Sequence, residues 1–137
     1  MPCEMPRSRP CTYGELTSPA FRSWILEMGE SPDDIHRKIW EWALILDVVR
    51  GEGLMGDGFS GLGFAVGREP LPAVFAKYGC NVLATDIDPG STDEDIRGMW
   101  VDTGQHASRL ADLNDRGICD PGTFVEKCDF AYADMND

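Results

Sequence analysis

A glycine-bearing segment followed by a carboxylate is the part of this sequence best suited to hold a ligand. The segment Gly61–Pro72 reads Gly-Leu-Gly-Phe-Ala-Val-Gly-Arg-Glu-Pro-Leu-Pro. Glycine lets a backbone approach a ligand closely, and the start of a helix offers free N–H groups. Gly63, Gly67 and Glu69 do not form the pattern G-x-G-x-x-G, so the segment alone is a weak signal.

Two acids strengthen that signal. Asp86 follows Gly67 by nineteen residues. An acid about 20 residues after a glycine turn can accept hydrogen bonds from both hydroxyls of a ribose. Asp134 follows the third predicted strand, where a carboxylate can accept from an adenine amino group. The three points together predict a site for an adenosyl group.

The elements that position these residues are predicted from apolar runs and turn residues. Residues 61–66 and 80–85 are expected to form strands, with a short helix over 70–78 between them. A helix over 121–127 and a third strand over 128–133 follow. A strand, a helix and a strand within about 30 residues make one crossover unit, and such units build parallel sheets. The sequence therefore predicts an α/β fold.

Helices are also predicted outside this unit. Ser31-Pro32-Asp33-Asp34 is typical of a helix start, and an apolar residue then recurs at helical spacing to about Arg50. The members of that apolar face are Ile35, Ile39, Trp42, Leu46 and Val49. Residues 20–28 form the only helix expected in an otherwise irregular segment, residues 1–30, and residues 108–116 form another short helix. Residues 31–137 are predicted to be one domain.

The residues at 36–89 and 133–136 resemble the N-terminal half of class I S-adenosylmethionine-dependent methyltransferases. The resemblance implies a partial Rossmann-like three-layer sandwich, with about three parallel strands in the order 3-2-1 and flanking helices. It implies S-adenosyl-L-methionine as the cofactor. Since that family has seven strands, we expect either a fragment that is truncated after the third strand or an unusual small domain that completes its sheet by dimerising.

The resemblance assigns the first loop to the methionine part of the cofactor. When the family's first loop is mapped onto this sequence, it contains Gly63, Phe64, Ala65 and Gly67. Glu69 either accepts from the α-amino group of the cofactor or is an acid favoured by the helix dipole. Two positions depart from the family pattern: Gly63 stands where the family has an acid, and Ala65 replaces the first glycine. We expect the alanine to be tolerated if its φ is negative.

The resemblance assigns the adenosine part to residues that follow the second and third strands. Asp86 is the ribose acid, and Ile87 stacks on adenine. Asp134 and Met135 form the remaining adenine site. No catalytic residue is implied, and the elements that would contact a methyl acceptor are not accounted for.

His106 is the one weak candidate for a catalytic residue. It lies in the segment 100–107, and histidine can act as a general base near neutral pH. The alternative interpretation is a capped turn that leads into the helix predicted from residue 108.

Composition limits the classes of molecule that this chain is expected to bind. The net charge of -12 opposes binding to nucleic acid and to anionic membranes, which leaves small molecules, sugars or proteins as methyl acceptors. Five cysteines without a C-x-x-C pair predict reduced thiols and no metal site. Because the sequence has no apolar run of about 18 residues and no signal-peptide pattern, we expect a cytoplasmic protein.

Two other functions remain open from the sequence. An NAD-dependent oxidoreductase shares the strand, loop, helix and ribose acid, although it predicts a tighter glycine turn. A non-catalytic, truncated module that binds S-adenosylmethionine is the second. A three-stranded half sheet exposes an edge and apolar helix faces, so we also expect the chain to self-associate or to be marginally stable.

Overall fold

The computed structural model describes residues 9–88, Gly98 and residues 106–132. The chain divides into two compact units, residues 1–54 and residues 55–137. The domain boundary that we predict after residue 30 stays a prediction. None of the helices in the described part of the chain is both long enough and apolar enough to cross a membrane.

The described residues of the first unit, 9–54, contain three helices: α1 (Tyr13–Leu16), α2 (Pro19–Glu27) and α3 (Arg37–Gly51). The expectation of a single helix in residues 1–30 was wrong, because Thr12 starts an additional one. Its hydroxyl accepts from the N–H of Glu15 at 3.2 Å, which satisfies a free donor in the first turn of α1.

The start predicted for α3 was wrong by five residues, since Ser31 is predicted as the N-cap and Pro32 as the first helical residue. The hydroxyl of Ser31 accepts from the N–H of Asp33 and closes a local turn. Such a bond competes with helix formation. The helix begins at Arg37, with His36 as its N-cap. Ile35, the first position of the predicted apolar face, lies outside the helix and is 57% exposed.

A half-buried carboxylate in α1 joins the segment before that helix to α3. The guanidinium of Arg9 donates to both carboxylate oxygens of Glu15, at 3.0 and 2.6 Å. The indole N–H of Trp40 donates to the same carboxylate at 2.9 Å. The hydrogen bond from Arg9 is the main cause that holds the pKa of Glu15 below its ordinary value of 4.5.

The second unit is a three-stranded parallel sheet with helices between its strands, in the order β1-β2-β3. Its elements in chain order are β1 (Ser60–Gly63), α4 (Leu71–Lys77), β2 (Asn81–Asp86), a 3-10 helix (Leu110–Asn114), α5 (Pro121–Lys127) and β3 (Cys128–Tyr132). The predicted α/β class and the three parallel strands are confirmed. The predicted order 3-2-1 is this same order read from the other edge.

The core of the second unit lies where the helices cover the sheet. Val82 and Ala84 of β2 are buried with Ala73 of α4 and Phe124 of α5. Side chains alternate between the two faces of a strand. Leu83 therefore lies on the opposite face, where it is 43% exposed.

The segment predicted as a helix over 108–116 forms only the 3-10 helix. The carboxylate of Asp112 accepts from the N–H groups of Ser108 and Arg109, at 2.9 and 3.2 Å. Burial raises the pKa of Asp112, but these N–H donors and nearby arginines outweigh it, so the pKa lies below its ordinary value. This cap satisfies free backbone donors at the start of the 3-10 helix.

Four cysteines in the described residues carry free thiols. Cys80, Cys119 and Cys128 are buried, whereas Cys11 is exposed. Burial raises the pKa of Cys128 to about 12, with contributions from Asp129 and Cys119. Within the described ranges, no three side chains of His, Cys, Asp or Glu are grouped to hold a metal ion.

Candidate functional site

The predicted glycine loop and the predicted ribose acid meet at the carboxyl edge of the sheet. The N–H of Gly67 donates to Oδ2 of Asp86 at 2.9 Å. Oδ1 of the same carboxylate accepts from the N–H of Ile87 at 2.8 Å. Asp86 is only 6% exposed. In open parallel sheets, this edge is where ligands bind.

The loop after β1 is folded back onto the end of β2. The N–H of Val66 donates to the carbonyl of Thr85 at 3.1 Å, and the hydroxyl of Thr85 donates to the carbonyl of Gly63 at 2.8 Å. The strand predicted over residues 61–66 is therefore too long, because the chain leaves the strand direction after Gly63. Thr85 and Val66 position the loop.

Two residues of this loop have a left-handed backbone. Ala65 has φ of 50° and Gly67 has φ of 53°. The condition on which we expect the alanine to be tolerated, a negative φ, is not met at Ala65. A non-glycine residue in that region costs about 1–2 kcal/mol. Phe64 and Ala65 are both exposed beside the carboxyl edge.

A buried neighbour leaves no room for a side chain at Gly63. A Cβ at Gly63 would lie 2.7 Å from Cγ1 of Val66, a side chain that is 4% exposed. The absence of a side chain at residue 63 thus has a steric cause. An acidic side chain at residue 63 cannot be accommodated while Val66 keeps its place.

The end of the loop is tied to the 3-10 helix by charge. Arg68 lies 3.3 Å from the carboxylate of Asp115 and 3.9 Å from that of Asp112. Glu69 is half-buried, and its N–H donates to the carbonyl of Val66 at 3.0 Å. The loop is therefore fixed at both ends.

His106 lies against the residue that follows Asp86. Its Nε2 is 2.7 Å from the carbonyl oxygen of Ile87, and the residue is 5% exposed. Its ring stacks on that of Tyr132, with the centroids 5.8 Å apart and the planes at 17°. The hydroxyl of Tyr132 donates to the carbonyl of Ser108 at 2.9 Å.

The structure thus places seven of the nine predicted cofactor residues at the ends of β1 and β2 and in the loops that follow these strands. They are Gly63, Phe64, Ala65, Gly67, Glu69, Asp86 and Ile87. The other two, Asp134 and Met135, lie outside the described residues. The sequence does not identify Val66 and Thr85 as residues of the site, since each appears only as a β-branched residue within a predicted strand.

The chain matches no known family model, no curated protein and no solved structure. The geometry of the carboxyl edge is therefore the basis on which its function is proposed.

Proposed function

We propose that the second unit binds S-adenosyl-L-methionine for methyl transfer, as the N-terminal part of a methyltransferase. The observation that carries the proposal is the hydrogen bond between Gly67 and Asp86 at the carboxyl edge. It places the loop proposed for the methionine part beside the acid proposed for the ribose. The sheet and its helices are, in this proposal, the first part of a Rossmann-like three-layer sandwich.

Asp86 keeps the capacity to bind a ribose. A carboxylate has about four acceptor positions. The N–H groups of Gly67 and Ile87 use two of them. Within the described residues these are its only hydrogen bonds, which leaves two acceptor positions, the number that a pair of ribose hydroxyls requires. A buried carboxylate with two backbone donors is also held in one orientation.

The start of α4 favours this cofactor over a dinucleotide. A pyrophosphate binds free N–H groups at a helix N-terminus. Here Pro70 is the N-cap and Pro72 stands in the first turn, and proline has no N–H to donate. The sulfonium ligand does not need those donors. An NAD-dependent oxidoreductase therefore remains the second candidate.

Methyl transfer needs few catalytic groups. The acceptor nucleophile must be aligned with the sulfonium methyl, which is a matter of proximity and orientation. A site without a catalytic triad is compatible with that chemistry. We propose small molecules, sugars or proteins as acceptors, because a net charge of -12 opposes polyanions.

Calorimetric titration of the whole chain with S-adenosylhomocysteine and, separately, with NAD tests the proposal. We expect saturable binding of the first and none of the second. No binding of S-adenosylhomocysteine to folded protein at about 1 mM, which means a binding free energy weaker than about 4 kcal/mol, would refute the proposal. The converse preference would support the oxidoreductase. Transfer of a labelled methyl group to an acceptor separates an enzyme from a non-catalytic binding module.

A further inference from the structure

We infer that His106 is a positioning residue for the nucleoside part of the site, acting through the backbone of Ile87. The inference rests on the proposed function, and it assigns His106 a role other than that of a general base. The contacts that support it involve the two peptide groups that flank Ile87, the residue after β2.

Both backbone groups of Ile87 are held by side chains. Its N–H donates to Oδ1 of Asp86 at 2.8 Å, and its carbonyl lies 2.7 Å from Nε2 of His106. Fixing the peptide groups on both sides of a residue fixes its φ and ψ, and these set the direction of its Cβ. The two contacts therefore determine where the side chain of Ile87 points.

The contact also defines the protonation of the imidazole. A carbonyl oxygen only accepts, so Nε2 of His106 must carry a proton to form the hydrogen bond. In the neutral ring, Nδ1 is then the acceptor. Nε2 is thus occupied in binding the backbone of Ile87 and is not the atom that would accept a proton from a substrate.

The ring of His106 is itself held in place. Tyr132, the last residue of β3, stacks on it, and the hydroxyl of Tyr132 is bonded to the carbonyl of Ser108. The end of β3 therefore supports the ring, and the ring supports the residue after β2. Because its ring is buried and held by these contacts, His106 is suited to positioning the backbone of Ile87.

Two substitutions separate hydrogen bonding from packing. In His106→Gln the amide nitrogen can replace Nε2 as the donor to Ile87. In His106→Phe an aromatic ring can still stack on Tyr132, but it has no donor. We expect His106→Phe to weaken binding of S-adenosylhomocysteine about tenfold, and His106→Gln to stay within about threefold of the unmodified chain.

A nucleoside probe tests where the loss arises. Since His106 acts on Ile87, the tenfold loss in His106→Phe should appear equally with 5′-methylthioadenosine, which lacks the amino-acid part. Denaturant unfolding of each variant gives the folded fraction, so that affinity is compared per folded molecule. Restored affinity in His106→Gln is a result that a purely packing role does not produce.

Three outcomes overturn the inference. The first is equal affinity of His106→Phe and the unmodified chain, which leaves the proposed function intact. The second is an equal loss in both variants. The third is no binding by the unmodified chain, which refutes the proposed function as well. If His106→Phe does not fold, the imidazole nitrogen signals of the unmodified chain decide, because a proton on Nδ1 instead of Nε2 contradicts the contact.

Discussion

The N–H of Gly67 and the carboxylate of Asp86, nineteen residues apart in sequence, are joined by a 2.9 Å hydrogen bond. The same carboxylate accepts from Ile87, so one side chain holds the loop after β1 and the residue after β2. A residue that we predict as a ribose ligand is therefore also a structural element of the site. Affinity and stability should respond together when it is changed.

We predict that Asp86→Asn lowers the free energy of unfolding by about 1–3 kcal/mol. An asparagine offers one oxygen and one NH₂ group, so one of the two backbone N–H groups would face a donor. Urea unfolding measures the change. Asp129→Asn removes the same charge at an exposed position of β3, and should change the free energy by less than about 0.5 kcal/mol. Equal effects of the two substitutions would contradict the structural role.

We predict that Gly63→Ala destabilises the protein by about 1–3 kcal/mol, because its methyl would overlap Cγ1 of Val66. Val66→Ala removes that overlap. The double variant should therefore lose at least about 1 kcal/mol less than the sum of the two single variants. Denaturant unfolding of all four proteins measures this coupling energy. Simple additivity would show that the side chains do not compete for the space.

We predict that Ala65→Gly raises the free energy of unfolding by up to about 1 kcal/mol. Glycine relieves the left-handed strain at this residue, although the added freedom of the unfolded chain offsets part of the gain. Ala65→Val, with a β-branched side chain at the same exposed position, should instead lower it by about 1 kcal/mol or more. Thermal and urea unfolding should show that stability decreases from glycine to alanine to valine at residue 65. The opposite order would exclude a left-handed conformation of residue 65.

The network of Arg9, Glu15 and Trp40 predicts a pH dependence of stability. The pKa of Glu15 is lowered on folding, so its contribution is fully present above the ordinary value of 4.5 and is lost as the pH falls through the lowered pKa. Glu15→Gln should therefore be less stable than the unmodified chain at pH 7, and the difference should shrink as the pH falls below 4.5.

Tryptophan fluorescence during urea unfolding at several pH values measures that difference. Glu41→Gln is the matched control, because Glu41 forms an ion pair with Arg37 on the surface of α3. Exposed pairs of that kind contribute about 0.3–0.5 kcal/mol. A stability difference for Glu15→Gln that is the same at pH 7 and at pH 3 would contradict the assigned cause.

The sheet could be predicted because its signals are local. Apolar runs that end at a glycine or an acid gave β2 to within a residue, and the helix at Pro121–Lys127 matched its predicted bounds. In the site, the spacing between Gly67 and Asp86 predicted that they share one edge. Parallel strands place their carboxyl ends together, so this follows once the strands are known.

The remaining features depend on contacts between residues far apart in sequence. Hydrogen bonds of Thr85 to Gly63 and Val66 hold the loop against β2, and φ of the intervening residue 65 is positive. No pattern in the loop itself reveals these contacts or that conformation. The contact of His106 with Ile87 likewise joins residues nineteen apart through an unpatterned segment. The prediction of the start of α3 was wrong for a local reason. The hydroxyl of Ser31 can cap a turn as well as a helix, and here it caps a turn.

The close fit of Val66 under Gly63 limits the order in which this loop can change. A chain that acquired an acid at residue 63 first would pass through a clashing intermediate, whereas one that first shortened residue 66 would only open a small cavity. Substitutions at the two positions should therefore occur together, with the substitution at residue 66 coming first. Among relatives of this chain, an acid at residue 63 should occur together with a glycine or alanine at residue 66.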